Sequence, residues 1–403
     1  MSDRTNDETQ QQSRLIRVPV KDLRPGMYVH DLGVHWGMHP FLHNQFELDQ
    51  GAVEKVRALG VKRIVVDLLR SKPSAFRALS AGNEDRAVAE EEVYAGDPGE
   101  ITRAARQVIR SLLADARAGK ALDMQLVKEA SRELSKALTH HRNTMLALGR
   151  IRSRDGYTYQ HSVNCGVLFM AFAKYLDMPT EKVRMLGTAG MLHDIGKAFV
   201  PEQILTKPSK LSDEEYKTIQ THPAKGGELL RNTDGVHPLV IQVAEQHHER
   251  MNGSGYPCRL EQKHLRLEVR MASIIDVYDA ITAVRSYHQG RPPTEGLGII
   301  LKQAGTAFDK HLAQCFIHCI GVYPPGSLVR LTMDRLAIVL EPREGQPYRP
   351  LVRVTHDTRR GRELRRPYLL DLAKATADQR IERYENPANW FVRPEHYLPH
   401  PVR

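Results

Sequence analysis

Residues 192–205 read LHDIGKAFVPEQIL. An imidazole and a carboxylate, His193 and Asp194, stand side by side at the end of an apolar stretch with helical spacing. Gly196 and Lys197 follow at once. Neighbouring side chains on an α-helix point about 100° apart. The pair can therefore share one metal ion only at a distorted helix end; otherwise the carboxylate serves two ions and bridges them. Gly196 is expected to terminate the helix. Imidazole with carboxylate suits divalent transition metals and needs no soft thiolate.

Outward from this stretch the apolar periodicity is helical almost without a break. It predicts helices at 101–117, 123–150, 157–176, 180–194, 213–231, 238–251, 268–286 and 294–320. Ser212 and Glu215 form a capping box at the start of the fifth, with Leu211 and Tyr216 as its hydrophobic staple. Pro238 suits the first turn of the sixth. Further candidate ligands fall on these helices or at their ends: His161, His222 before Pro223, the adjacent His247 and His248, and Asp276 in IIDVYDA. His247 lies seven residues after Val240, and Asp276 four after Ala272 and seven after Val269. Each polar group thus projects from the apolar face of its helix, where a lone charge is costly unless paired or bound to metal.

Composition narrows the class. The chain has 403 residues, 41% apolar and 26% charged, and its 19 histidines include ten between His161 and His318. No apolar run of the roughly 18 residues needed to span a bilayer occurs, and the polar start, 1–14, reads as a disordered leader without a secretory signal. Four cysteines do not make a disulfide framework in a chain this long, which fits a reducing cytoplasm. The net charge of +10 is dispersed, with 15 Lys/Arg against 10 Asp/Glu in residues 321–403 alone, and only 6% of residues are aromatic. That pattern argues against DNA or RNA as a partner.

The expected architecture is mainly α. A small α+β domain occupies 15–70, with strands in LIRVPV, MYVHDLGV and VKRIVVDLL and a helix over 51–60. Residues 71–100 read as a linker, 101–320 as the helical domain, and 321–403 as a β-rich extension. Arg359–Arg366 (RRGRELRR) reads as a solvated basic hairpin. Cys315 and Cys319 read as a core helix face, Cys165 and Cys258 as packing residues, and Trp36 and Phe41 as core of the first domain.

YTYQHSVN (157–164), LHDIGKAFVPEQIL (192–205), His222-Pro223, HHERMNGSGYP (247–257) and RMASIIDVYDAITAVRSY (270–287) together resemble, in order, the HD-GYP family, a subgroup of the HD superfamily of phosphohydrolases. The likeness covers about 140–320. The first 70 residues resemble a small domain of unknown function often found before HD-GYP domains. The resemblance implies an all-helical HD-type bundle and cleavage of cyclic di-GMP to pGpG or GMP at a bridged metal centre, often iron or manganese. It implies His161, His193, Asp194, His222, His247, His248 and Asp276 as metal ligands, with Asp194 bridging two metals and Lys197 on the scissile phosphate. It also implies Gly255, Tyr256 and Pro257 as a contact for GGDEF-type cyclases. Arg285 and Tyr287 are candidate substrate-binding residues, Arg285 for the second phosphate.

Three positions depart from the family pattern. Tyr157 stands where trinuclear members carry Glu, which favours two metals over three. Asn252 stands where Asp is usual, and Arg285-Ser286-Tyr287-His288 replaces R-P-Y followed by a basic residue. Chemically, two divalent cations lower the pKa of a shared water and neutralise phosphoryl charge, so that water is the expected nucleophile. Glu249, Tyr278 and Asp279 are candidates for orienting the ligands. Two other readings stay open: a non-catalytic receptor for cyclic di-GMP or a GGDEF partner, and an HD enzyme acting on another nucleotide.

Overall fold

In the computed structural model, residues 15–32, 46–59, 61, 63–67, 70–72, 96–150, 157–207, 209–283, 290–343 and 345–399 are described. The chain divides into two units, Met1–Glu92 and Val93–Arg403. The leader, most of the expected linker, Trp36, Phe41, Arg285 and Tyr287 lie outside the described residues.

The first unit is the expected α+β domain. Strands β1 (Leu15–Pro19), β2 (Tyr28–Asp31), β3 (Phe46–Glu47) and β4 (Arg63–Asp67) form an antiparallel sheet in the order β1-β4-β2-β3. Helix α1 (Gln50–Ala58) starts at Asp49, whose carboxylate accepts from the Ala52 amide, and buries Val53 and Val56 against Val18, Val29, Ile64 and Val66.

The second unit is helical up to Ile320. Helix α2 (Pro98–Arg117) is capped by Asp97 and α3 (Met124–His140) by Asp123, each carboxylate accepting two backbone amides. Then come α4 (Arg142–Arg150), α5 (Tyr157–Tyr175), α6 (Thr180–Leu192), a 3₁₀ turn at Ile195–Phe199, α7 (Glu202–Leu205) and α8 (Asp213–Ile219). Helices α9 (His222–Arg231), α10 (Pro238–Gln246), α11 (Leu267–Thr282), α12 (Pro293–Lys302) and α13 (Lys310–Ile320) complete the domain. Three expected helices are each two: 123–150 breaks at His141, 213–231 between Ile219 and His222, and 294–320 between Lys302 and Lys310. Apolar periodicity carries across such breaks because both halves bury the same side. The capping box of Ser212 and Glu215 is present, but Tyr216 is half exposed and faces a cleft.

The central pair, α5 and α6, owes its closeness to small residues. A Cβ at Gly190 would lie 2.8 Å from the backbone of Cys165 and Gly166, and one at Gly166 would lie 3.0 Å from the Gly187 carbonyl. The two helices meet almost backbone to backbone, which brings His161 on one against His193 at the end of the other. Gly196 does similar work. A Cβ there would lie 2.0 Å from the His222 carbonyl and 2.5 Å from the Gly226 amide. Gly196 is thus not the helix terminator expected: it sits inside the 3₁₀ turn, outside the positive-φ set, and lets that turn press onto α9.

The β-rich extension is an antiparallel sheet in the order β8-β7-β6-β5-β9, with β5 Leu328–Leu331, β6 Arg335–Glu341, β7 Leu351–Asp357, β8 Arg362–Asp371 and β9 Ile381–Tyr384. Gly321, at φ +81°, turns the chain out of α13. Arg150 of α4 donates to Ser327 Oγ at 2.6 Å and to the Pro324 and Pro325 carbonyls at 3.3 Å, tying the sheet to the helices. The basic run does form a hairpin, its turn leading into β8. Among the described residues no helix is long and apolar enough to cross a membrane.

Gly190→Ala forces a methyl group into backbone and is expected to cost about 1–3 kcal/mol. The check is the urea midpoint of the full chain, which should fall while the surface control Gly298→Ala, with open space at its Cβ, does not lower it.

Candidate metal centre

Five helices or their ends deliver seven polar side chains to one buried point. His161 comes from the first turns of α5; His193 and Asp194 follow α6; His222 opens α9; His247 and His248 follow α10; Asp276 lies on α11. His161, His193, Asp194, His222, His247 and Asp276 are all buried, with Val240, Val269 and Ala272 beside them in the core. The helical faces read from sequence therefore point as expected. The His193–Asp194 step is the anticipated distortion: His193 is helical, while Asp194, at φ −100° and ψ 10°, leads into the 3₁₀ turn.

Asp194 is the hub. Its Oδ2 lies 3.3 Å from His161 Nε2 and 3.4 Å from His193 Nε2. Its Oδ1 lies 3.2 Å from His222 Nε2 and 3.7 Å from His247 Nε2. Asp276 spans the same divide, Oδ1 at 3.3 Å from His161 Nε2 and Oδ2 at 3.5 Å from His248 Nδ1. Asp194, His222, His247 and His248 form one group whose ligand atoms lie within 4.8 Å of one another, and His161, Cys165 and His193 form a second.

Four imidazoles have their tautomers fixed from behind. Nδ1 of His193 donates to the Gly190 carbonyl at 2.7 Å, that of His222 to the Ile219 carbonyl at 2.7 Å, and that of His247 to the Ala244 carbonyl at 3.0 Å. His161 Nδ1 donates to Asp279 Oδ2 at 2.6 Å. Since these oxygens only accept, each Nδ1 carries a proton, and in the neutral imidazole each Nε2 turns a lone pair inward. The Nε2 atoms then meet in pairs, His161 with His193 at 3.2 Å and His222 with His247 at 3.3 Å. Asp194 Oδ1, fully buried, receives no hydrogen bond among the described residues. Lone pairs facing lone pairs around a bare carboxylate oxygen are stabilised by cations, so the residues present fit divalent metal.

The electrostatics agree. Burial opposes charge on Asp194, yet Lys197 and His193 hold its carboxyl well below the usual range. Burial likewise opposes charge on Asp276, and His161 and His193 pull it well down. Burial drives His247 well below its ordinary value, helped by its neighbouring imidazoles, and takes His248 to about 3. His193 goes the other way: burial pulls it down, but Asp194 overrides this and raises it to about 10.

Lys197, expected on a phosphate, sits on the 3₁₀ turn with Nζ 2.5 Å from Asp194 Oδ2. Asp279 orients His161: it receives His161 on one oxygen and the Asn164 amide on the other. Asn164 in turn fills the space left by Gly149, where a Cβ would collide with it. The Tyr278 ring packs edge-on to Phe316 at 5.3 Å. Glu249 has another task. Fully buried, it accepts the Cys258 amide at 2.7 Å and the Leu260 amide at 2.9 Å, pinning the loop that carries Gly255, Tyr256 and Pro257.

That loop folds onto the histidines. A Cβ on Gly255 would lie 2.5 Å from the backbone of residues 248–250, and Tyr256 stacks on His248 with centroids 4.5 Å apart. Asn252 Oδ1 accepts from the Ser254 amide and hydroxyl. The turn uses only an oxygen acceptor, so Asn serves there as Asp would. Sequence reading missed Glu249 as the loop anchor and Tyr216 and Arg250 as cleft residues; the buried glutamate inside HHE was the one available signal. Cys315 and Cys319 are buried core residues, as expected.

The HD-domain family profile matches residues 132–312, and a profile described as a domain of unknown function, DUF3391, matches 15–127. The chain is 36% identical to the cyclic di-GMP phosphodiesterase PA4108 of Pseudomonas aeruginosa, over 94% of each protein. It is 36% identical to the cyclic di-GMP phosphodiesterase response regulator RpfG of Xanthomonas campestris, over 42% of this chain and 45% of that protein. It is also 36% identical to the 3'3'-cGAMP-specific phosphodiesterase 1 of Vibrio cholerae, over 39% of this chain and 36% of that one.

Two outcomes are expected of the centre. A metal must displace the His193 proton, so uptake by stripped protein should strengthen as pH rises toward about 10. Calorimetric titration with Mn²⁺ checks this, and affinity that is flat or falls between pH 6 and 8 would contradict it. Asp279→Ala should weaken metal binding by about 10–100-fold through loss of the His161 partner.

Proposed function

The chain belongs to the HD-GYP family of HD-domain phosphohydrolases, and on that premise we propose that it is a metal-dependent phosphodiesterase hydrolysing cyclic di-GMP to pGpG or GMP. The observation that carries the reading is the inward convergence of four Nε2 atoms on the two oxygens of Asp194. The near full-length similarity to a cyclic di-GMP phosphodiesterase supplies the substrate.

In this reading His161, His193, Asp194 and Asp276 hold one divalent ion, and Asp194, His222, His247 and His248 the second, with Asp194 shared. Tyr157 in place of Glu favours two ions over three. Iron or manganese suits a donor set of imidazole and carboxylate. Bound there, the ions supply Lewis acidity, charge neutralisation and an activated water.

The protein's own groups do the rest. Backbone carbonyls and Asp279 hold His161, His193, His222 and His247 in place before substrate arrives. Burial of Asp194 strengthens every charge interaction around it. Lys197, one-fifth exposed and beside that carboxylate, offers a point charge to a non-bridging phosphoryl oxygen. Arg285 and Tyr287 are kept as substrate-binding residues, with no particular phosphate assigned to either. The exposed Ser254 and Pro257 are where a GGDEF-type cyclase would meet the loop of Gly255 and Tyr256. The four unbridged cysteines suit a cytoplasmic protein.

The test is anaerobic reconstitution of the full chain with Fe²⁺ or Mn²⁺, incubation with cyclic di-GMP and 3'3'-cGAMP, and chromatography of products. Cyclic di-GMP should yield pGpG or GMP, and Asp194→Ala should abolish the product. Tight binding of cyclic di-GMP with no product at full metal loading would favour a receptor instead.

A further inference from the structure

A cleft of about 670 Å³ opens beside His248, walled by the end of α8, the residues after α10, the Gly253–Pro257 loop and Ala307. Its charged lining is Lys217, Arg250 and Arg259, with no carboxylate among them. Arg250 is the unusual member. It is partly buried, and its Nη1 donates only to backbone, the Glu249 carbonyl at 2.9 Å and the His247 carbonyl at 3.3 Å. The guanidinium lies over the Phe308 ring at 5.3 Å, and among the described residues it has no carboxylate partner within ion-pair distance. A sheltered cation without a counter-charge is costly unless an anion arrives. Lys217 is exposed on the α8 wall of the cleft, also without an ion pair among the described residues.

We propose that Arg250 and Lys217 hold the second, non-scissile phosphate of a cyclic dinucleotide in this cleft while the first lies at the metal centre. The inference rests on the phosphodiesterase reading and deepens it. A cyclic dinucleotide carries two phosphodiesters on opposite sides of its ring, so placing one at buried metals leaves the other outside them. His248 joins the two places, its Nδ1 3.5 Å from Asp276 and its ring lining the cleft. Arg250 can meet a phosphate with two parallel N–H groups, and Lys217 adds a mobile point charge. The half-exposed Tyr216 on the same wall offers a ring to a purine. A cleft with this lining selects dianionic cyclic dinucleotides over simple diesters, which need the metals alone.

Steady-state kinetics of the metal-loaded full chain with cyclic di-GMP test it. Arg250→Met keeps the length that packs on Phe308 and should raise KM about ten-fold or more, with Arg250→Lys intermediate, while metal content stays at the wild-type value. Lys217→Glu, at an exposed position, should raise KM several-fold, and Lys217→Arg should not. An unchanged KM in both Arg250→Met and Lys217→Glu would overturn the proposal, as would a fall in kcat alone. If Arg250→Met does not fold, the Lys217 pair decides. A wild-type chain that turns over cyclic di-GMP while the variants keep its KM refutes this inference and leaves the phosphodiesterase reading standing; a wild-type chain that neither binds nor cleaves it refutes that reading itself.

Discussion

The confrontation of Nε2 lone pairs around the Asp194 carboxylate is the constraint on which the rest of the helical domain depends. Neutral imidazoles whose Nδ1 protons are committed to carbonyls or to Asp279 cannot donate to one another across 3.2–3.3 Å. Without metal, Asp194 holds a proton on His193, raised to about 10, while burial takes His248 down to about 3. With metal the same lone pairs become ligands. Stability therefore yields to function here: the core gives up apolar packing at its centre for a donor set that is satisfied only by cations.

Holding seven side chains from separate helices at one point requires close backbone contact, and glycines provide it. Gly190 lets α6 lie against Cys165 and Gly166 of α5, which sets His193 against His161. Gly196 lets the turn after Asp194 lie on the His222 carbonyl, which sets Asp194 against α9. Gly149 leaves room for Asn164, whose amide steadies Asp279 behind His161. Gly255 brings its loop onto residues 248–250, so that Tyr256 covers His248. The loop and the cleft beside it are thus continuous with the metal centre through a single imidazole.

Much of this was legible in the sequence, because ligands on apolar faces violate a pattern that is otherwise regular. His247 falls in step with Val240, and Asp276 with Val269 and Ala272, and all are buried together. The adjacency of His193 and Asp194 left a distorted helix end or a bridging carboxylate open, and the helix end is distorted at Asp194. What escaped depends on contacts remote in sequence or on local breaks. The interruptions at His141, before His222 and after Lys302 leave the burial period intact, so periodicity passes over them. Gly196 looks like a helix stop, and only the nearness of α9 reveals its use. Strand β8 is mostly exposed, and β9 is four residues long with its middle two exposed, so neither shows the alternation by which strands are recognised.

The central claim is that Asp194 is shared between two cations. Anomalous diffraction from crystals of the Mn²⁺-loaded protein tests it most directly. The account predicts two ions about 3.5–4 Å apart, one against each oxygen of Asp194, the first with His161 and His193 and the second with His222 and His247. A single ion, or two ions with Asp194 bound to only one of them, would contradict it.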